Sequence, residues 1–218
     1  MEMLIVVLII SFVSAMGINT YQNQRRQVQY NDAILKVLSM IKTARDYAMT
    51  SRSTYDTCQL PGSETYVPAE GYGVYIERGT EAGQARFVLF ANTIADSDIK
   101  KNQYDETADP CSSDLIEEVY QLGGDALLTD LLTNIAAPVT PLSSKTNADE
   151  NRAVILFKTA LADTVIAAND HPPVPVAEDL TLPLNLYLQF DRPTAPENAP
   201  STYIHVNQMA GFAEIQNQ

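Results

Sequence analysis

The chain is short of positive charge. Its 218 residues carry 14 Lys and Arg against 27 Asp and Glu, a net charge of −13. Phosphate backbones demand clustered bases, so this balance argues against nucleic acid as a partner. Cysteine is scarcer still. Cys58 and Cys111 are the only two, too few for a disulfide framework or a four-ligand zinc site. Two histidines, His171 and His205, stand in unlike surroundings and leave little for metal or acid–base chemistry. His171 precedes two prolines and reads as a loop residue. His205 alternates with Ile204 and Val206 and is expected to face outward into solvent. No Ser/His/Asp grouping, phosphate loop or dinucleotide fingerprint appears. Gly71-x-Gly73 sits before a candidate strand rather than after one, the wrong context for that fingerprint. Ser39-Met40-Ile41-Lys42 spells S-x-x-K, but it lies on an amphipathic helix without companion motifs and reads as chance. The expectation is a protein that is not an enzyme.

Proline is missing from the first sixty residues, and Gly17 is the only glycine there. Nothing in that stretch breaks a helix. Ile34, Val37, Leu38, Ile41, Ala44, Tyr47 and Ala48 recur at three- and four-residue spacing, the pattern of an amphipathic helix. The spacing predicts one helix from the N-terminal end to about Arg52, a rod of about 75 Å.

A base is also missing ahead of the opening apolar run. From Met3 to Ile18 the polar residues are Ser11 and Ser14, and the only charge before them is Glu2. Sixteen residues fall slightly short of the roughly 20 that a spanning helix needs. Val13-Ser14-Ala15 resembles a signal-peptide cleavage site, yet a signal peptide needs a positive flank. A buried core helix would be striped rather than apolar all round. A retained anchor is the third reading, and the amphipathic helix that follows supports it. Residues 1–20 are therefore expected to be a transmembrane part, and 21–53 its amphipathic continuation.

The charge is unevenly placed. Residues 1–53 hold six bases and three acids, a net +3, which leaves −16 for the rest. Beyond Ser53 the pattern turns to short extended runs: Tyr72–Arg78, Ala85–Ala91, Leu115–Leu122, Ala153–Thr159, Leu184–Phe190, Thr202–Val206 and Gly211–Gln216. Asp125–Ala137 fits a strand and turn better than a helix. His171–Asp179 and Arg192–Pro200 are proline-rich loops. The expected fold is α+β: a long N-terminal helix, its first part membrane-embedded, packed on one antiparallel sheet of an acidic domain over 54–218.

Glu2-Met3-Leu4-Ile5-Val6-Val7-Leu8-Ile9-Ile10 resembles the opening of type IV pilins and type II secretion pseudopilins. Lys42–Cys58 is similar to the end of the long helix in minor pseudopilins of the H type, where an Ala-Arg-x-x-Ala stretch leads into a first strand. Gly71–Ile76, Arg86–Asn92 and Tyr203–Ile215 resemble strands of the same group. The resemblance implies a pilin-like fold and a structural, minor subunit of a pilus or secretion pseudopilus. It implies partners too: other pilin or pseudopilin subunits through the N-terminal helix, the cytoplasmic membrane, and a prepilin peptidase if a basic leader lies upstream of Met1. The implied location is a single pass of the cytoplasmic membrane with the body outside, then a cell-surface or periplasmic filament.

The resemblance also gives Glu2 a role. A carboxylate beside an apolar core needs a partner, and in the family that partner is the amine of a neighbouring subunit, which sets axial register. Gly17 is expected to allow close helix packing or local melting. With the body outside the cytoplasm, a Cys58–Cys111 disulfide is favoured over two free thiols. Asp96, Asp98 and Asp105 lie in an acidic loop where related prepilins often carry an Asp-Asn-Gly loop that looks calcium-competent. Lys100 and Lys101 occupy positions where a ligand and the turn glycine belong, so a solvated loop is the expected reading and calcium the weaker one. The rival reading of the whole chain is a membrane-tethered binding domain with no filament role.

Overall fold

The computed structural model describes residues 2–55, 66–79, 85–92, 104, 115–123, 125–134, 140–141, 152–159, 164–168, 185–193 and 200–217. Without proline to interrupt it, the N-terminal stretch forms helix α1 (Glu2–Met49). The helix stops where Ser51 turns left-handed at φ 47°. The Arg52 N–H donates to the Tyr47 carbonyl and the Ser51 N–H to that of Ala48, the paired bonds that close a helix C-terminus.

Every described side chain from Met3 to Gln29 is exposed. Burial begins at Tyr30 and follows Ala33, Ile34, Val37, Leu38, Met40, Ile41, Ala44 and Ala48. This is one apolar stripe at helical spacing. The helix is thus seated over its second half only.

Among the described residues twelve strands build the body: a small ribbon, β1 (Ser53–Tyr55) with β2 (Tyr66–Pro68), and two five-stranded antiparallel sheets. The first sheet is formed by β3 (Gly71–Glu77), β4 (Arg86–Asn92), β5 (Leu115–Gln121), β8 (Arg152–Lys158) and β9 (Thr164–Ala168), in the order β5-β4-β3-β8-β9. The second is formed by β6 (Leu127–Asn134), β7 (Thr140–Pro141), β10 (Asn185–Asp191), β11 (Thr202–Asn207) and β12 (Phe212–Asn217), in the order β12-β11-β10-β6-β7. The extended runs read from the sequence are strands, and Leu127–Asn134 is one as well.

The two sheets differ in how they are covered. On β10 burial alternates, with Leu186, Leu188 and Phe190 inward, as expected for a sheet with one face on the core. On β3, β4 and β8 nearly every residue is buried. Tyr72, Val74, Ile76, Phe87, Leu89, Ile155 and Phe157 join the main core with α1 and the second sheet. Tyr75, Val88, Phe90, Val154 and Leu156 point the other way, into a second cluster with Tyr104 and Val165.

The expected fold class needs correction. Strands dominate, and they form two sheets rather than one. The helix-on-one-sheet arrangement is replaced by a mostly β body that seats only the second half of α1, because the strand pairings segregate β6, β7, β10, β11 and β12 from the rest. The membrane placement is overturned as well. Among the described residues, no helix is long and apolar enough to cross a membrane. The physical reason lies in the run Met3–Ile18, about 24 Å of helix against about 30 Å of hydrocarbon. Asn19, Thr20, Gln22 and Asn23 then follow.

Tyr30 pins α1 to the second sheet. Its hydroxyl donates to the Phe190 carbonyl at 2.9 Å, and the Arg192 guanidinium lies 5.6 Å from the ring centre. Burial, above all, pushes this phenol above its ordinary range. Tyr30→Phe is expected to cost about 1–2 kcal/mol by orphaning a buried acceptor. A urea midpoint unchanged from the parent chain would show that the bond contributes nothing.

Candidate assembly interface

The first half of α1 is an exposed arm that is apolar over Met3–Ile18. Residues 2–29 span about 42 Å at 1.5 Å per residue. Met3, Ile5, Val6, Val7, Leu8, Ile10, Phe12 and Ile18 are each more than half exposed, Met3 at 83%. They surround the helix rather than lining one stripe. Single exposed hydrophobes are ordinary, but a contiguous apolar surface of this size marks an interaction site. The Ser11 hydroxyl donates back to the Val7 carbonyl at 2.9 Å, so its polarity is absorbed by the helix itself.

Glu2 lies in the first turn of α1. Gly17 lies within the arm, and a Cβ built there meets nothing within 4 Å. Among the described residues nothing packs on it, and close packing there would be supplied by another chain. Cys58, Cys111, Asp96, Asp98 and Asp105 lie outside the described residues.

The arm's seat is fixed by charge as well as packing. Arg26 meets Asp125 at 3.5 Å, Lys36 meets Glu118, and Arg52 meets Glu117 at 3.8 Å. Tyr47 and Tyr72 pack edge to face at 5.4 Å, with Arg52 over the Tyr47 ring at 4.2 Å. The basic character of residues 1–53 and the acidic character of the body thus meet directly at this contact. Ser39, of the S-x-x-K string, donates its hydroxyl to the Lys36 carbonyl at 2.8 Å.

His205 is not the solvated side chain that alternation suggests. It is 9% exposed and stacked on Tyr187 with ring centres 4.5 Å apart. Its Nε2 lies 2.9 Å from Asn185 Oδ1 and its Nδ1 3.4 Å from Glu214 Oε1. Cross-strand neighbours cover it: Tyr187 on β10 and Glu214 on β12 stand directly opposite in register. The Gln216 amide first, and then His205, hold the exposed Glu214 carboxyl below its usual range.

No family model matches the chain, and neither a curated protein nor a solved structure matches it.

Proposed function

We propose that the chain is a structural subunit of a pilin-like filament, in a minor position, within a type IV pilus or a type II secretion pseudopilus. The observation that carries this reading is the exposed apolar arm from Met3 to Ile18 on a helix whose other end is seated in a folded body. Each large side chain contributes about 1.5–3 kcal/mol once buried. The occupants of this surface are the arms of neighbouring copies or of related pilin and pseudopilin subunits. Because the arm is apolar on all sides, it suits the centre of a helical bundle better than a two-helix seam. The acidic body then forms the outer surface.

Glu2 acts in this scheme as a register device. A carboxylate drawn into a dry bundle must meet a cationic partner, and a misplaced subunit leaves it unpaired at substantial cost. The resemblance of the Glu2–Ile10 segment to prepilin-type openings supports the same role.

Electron microscopy and sedimentation of the purified full chain, alone and with a second pilin-type subunit, test the proposal. Elongated assemblies are expected for the parent chain. Replacing Val7, Ile10 and Phe12 together with Gln is expected to leave single, folded molecules. Glu2→Ala is expected to retain association but lose a regular axial repeat. A parent chain that stays monomeric under both conditions would overturn the reading.

A further inference from the structure

Three bases on or next to α1 are neutralised by acids of the body: Arg26, Lys36 and Arg52. Lys42 and Arg45 lie between them in sequence, and among the described residues neither meets an acid within ion-pair distance. Arg45 Nε is buried without a hydrogen-bond partner among the described residues. An unmet buried donor on a charged group costs more than a neutral one. In a body whose acids outnumber its bases so heavily, an unanswered guanidinium is conspicuous.

Both side chains line a cleft of about 170 Å³ between α1 and the β11–β12 turn. Asp46 lies beside them, and Phe157 and Phe212 supply an apolar wall. The turn is built to place Phe212 there. Gly211 takes φ 59°, its N–H donates to the Asn207 carbonyl at 2.9 Å, and the Ala210 N–H donates to Asn207 Oδ1 at 2.8 Å. A residue with a Cβ is strained in that conformation.

We infer that this cleft binds a peptide carboxylate, a Glu or Asp side chain presented next to an apolar residue. The guanidinium fork matches the two oxygens of a carboxylate. Two bases against one acid leave a single net positive charge, which one carboxylate balances. A phosphate dianion would instead leave the cleft with a net negative charge. The cleft is roomy enough for one acidic side chain. The phenyl rings take its methylenes and its apolar neighbour. This site lies on the body, away from the projecting arm, and stands independently of the filament reading.

The test uses the full ¹⁵N-labelled chain in nonionic detergent, with acetyl-Leu-Glu-Leu-amide as the probe. Saturable shifts are expected at the Lys42–Asp46 and Gly211–Ala213 amides. The Gln counterpart of the peptide, and inorganic phosphate, are expected to bind roughly tenfold or more weakly, reflecting the lost charge-assisted pair. Arg45→Met keeps the aliphatic stem and is expected to weaken the Glu peptide by a similar factor. Lys42→Met, at an exposed position, is expected to weaken it severalfold and decides the matter if the Arg45 variant does not fold. Equal binding of the Glu and Gln peptides, tighter binding of phosphate, no saturable shift, or full binding by the folded variants would each overturn the site.

Discussion

Gly73→Val is expected to destabilise the body by about 3 kcal/mol or more. A Cβ at this position would sit 2.7 Å from Phe90 Cζ, 2.8 Å from Phe90 Cε1 and 2.9 Å from the Ile155 carbonyl oxygen. None of these can yield cheaply. Phe90 is fully buried, and its ring fills the second cluster over the outer face of the first sheet. The carbonyl belongs to β8, whose Leu156 is the register partner of Gly73, so moving it breaks the ladder. Gly73 is therefore the floor on which the Phe90 ring rests. Urea unfolding followed by far-ultraviolet circular dichroism reads the effect as a lower midpoint at unchanged slope. Gly17→Ala is the matched control. The space around Gly17 is open, and alanine there favours the helix by up to about 1 kcal/mol. An unchanged midpoint for Gly73→Val would mean that β3 and β8 are not held at this spacing.

Val37→Asp is expected to cost about 4 kcal/mol or more. Val37 is 0% exposed in the middle of the helix stripe. The substitution removes apolar burial and leaves a carboxylate among Ile34, Ile41 and the facing strands without a cation. Leu35, two residues earlier, is 52% exposed. Leu35→Asp is expected to stay within about 0.5 kcal/mol of the parent chain, as ordinary surface changes do. The same unfolding measurement separates them. Equal effects at both positions would remove the seat from this face of α1.

The helix stripe was legible because spacing alone selects it. Ile34, Val37, Leu38, Ile41, Ala44 and Ala48 are all buried. Its beginning at Tyr30 was not, since Tyr30 stands among Gln27, Gln29, Asn31 and Asp32 and its burial depends on a carbonyl 160 residues away. The strands were legible as β-branched and aromatic runs between turn residues. Their assignment to two sheets was not. Alternation says which residues share a face, but it does not say that β10 pairs with β6 while β3 pairs with β8. His205 misled for the same reason. Its outward phase is correct, but the side chains that cover it come from neighbouring strands. Arg45 looked like any base on a helix surface, because nothing local announces that its partner is missing. The arm's hydrophobicity was plain in the sequence. That hydrophobicity suggested a membrane anchor, but the run is only sixteen residues long, two of them serine, and no described helix is long and apolar enough to cross.

The charge contacts of the seat carry a geometric consequence. Arg26 and Lys36 flank the buried stripe, and each is tied to a fixed acid of the body. Sliding or rolling α1 in its seat would break both ties and lift the stripe from the core. The body therefore dictates the azimuth of the arm, which is the compass bearing at which each exposed residue leaves it. One residue inserted between Gly17 and Arg26 would lengthen the arm by only about 1.5 Å but swing that bearing by about 100°. Seven residues would add about 10 Å and return it to within about 20°. Reach and bearing are therefore set by how many residues lie between the seat and the apolar run, because the seat itself holds the helix against both sliding and rolling.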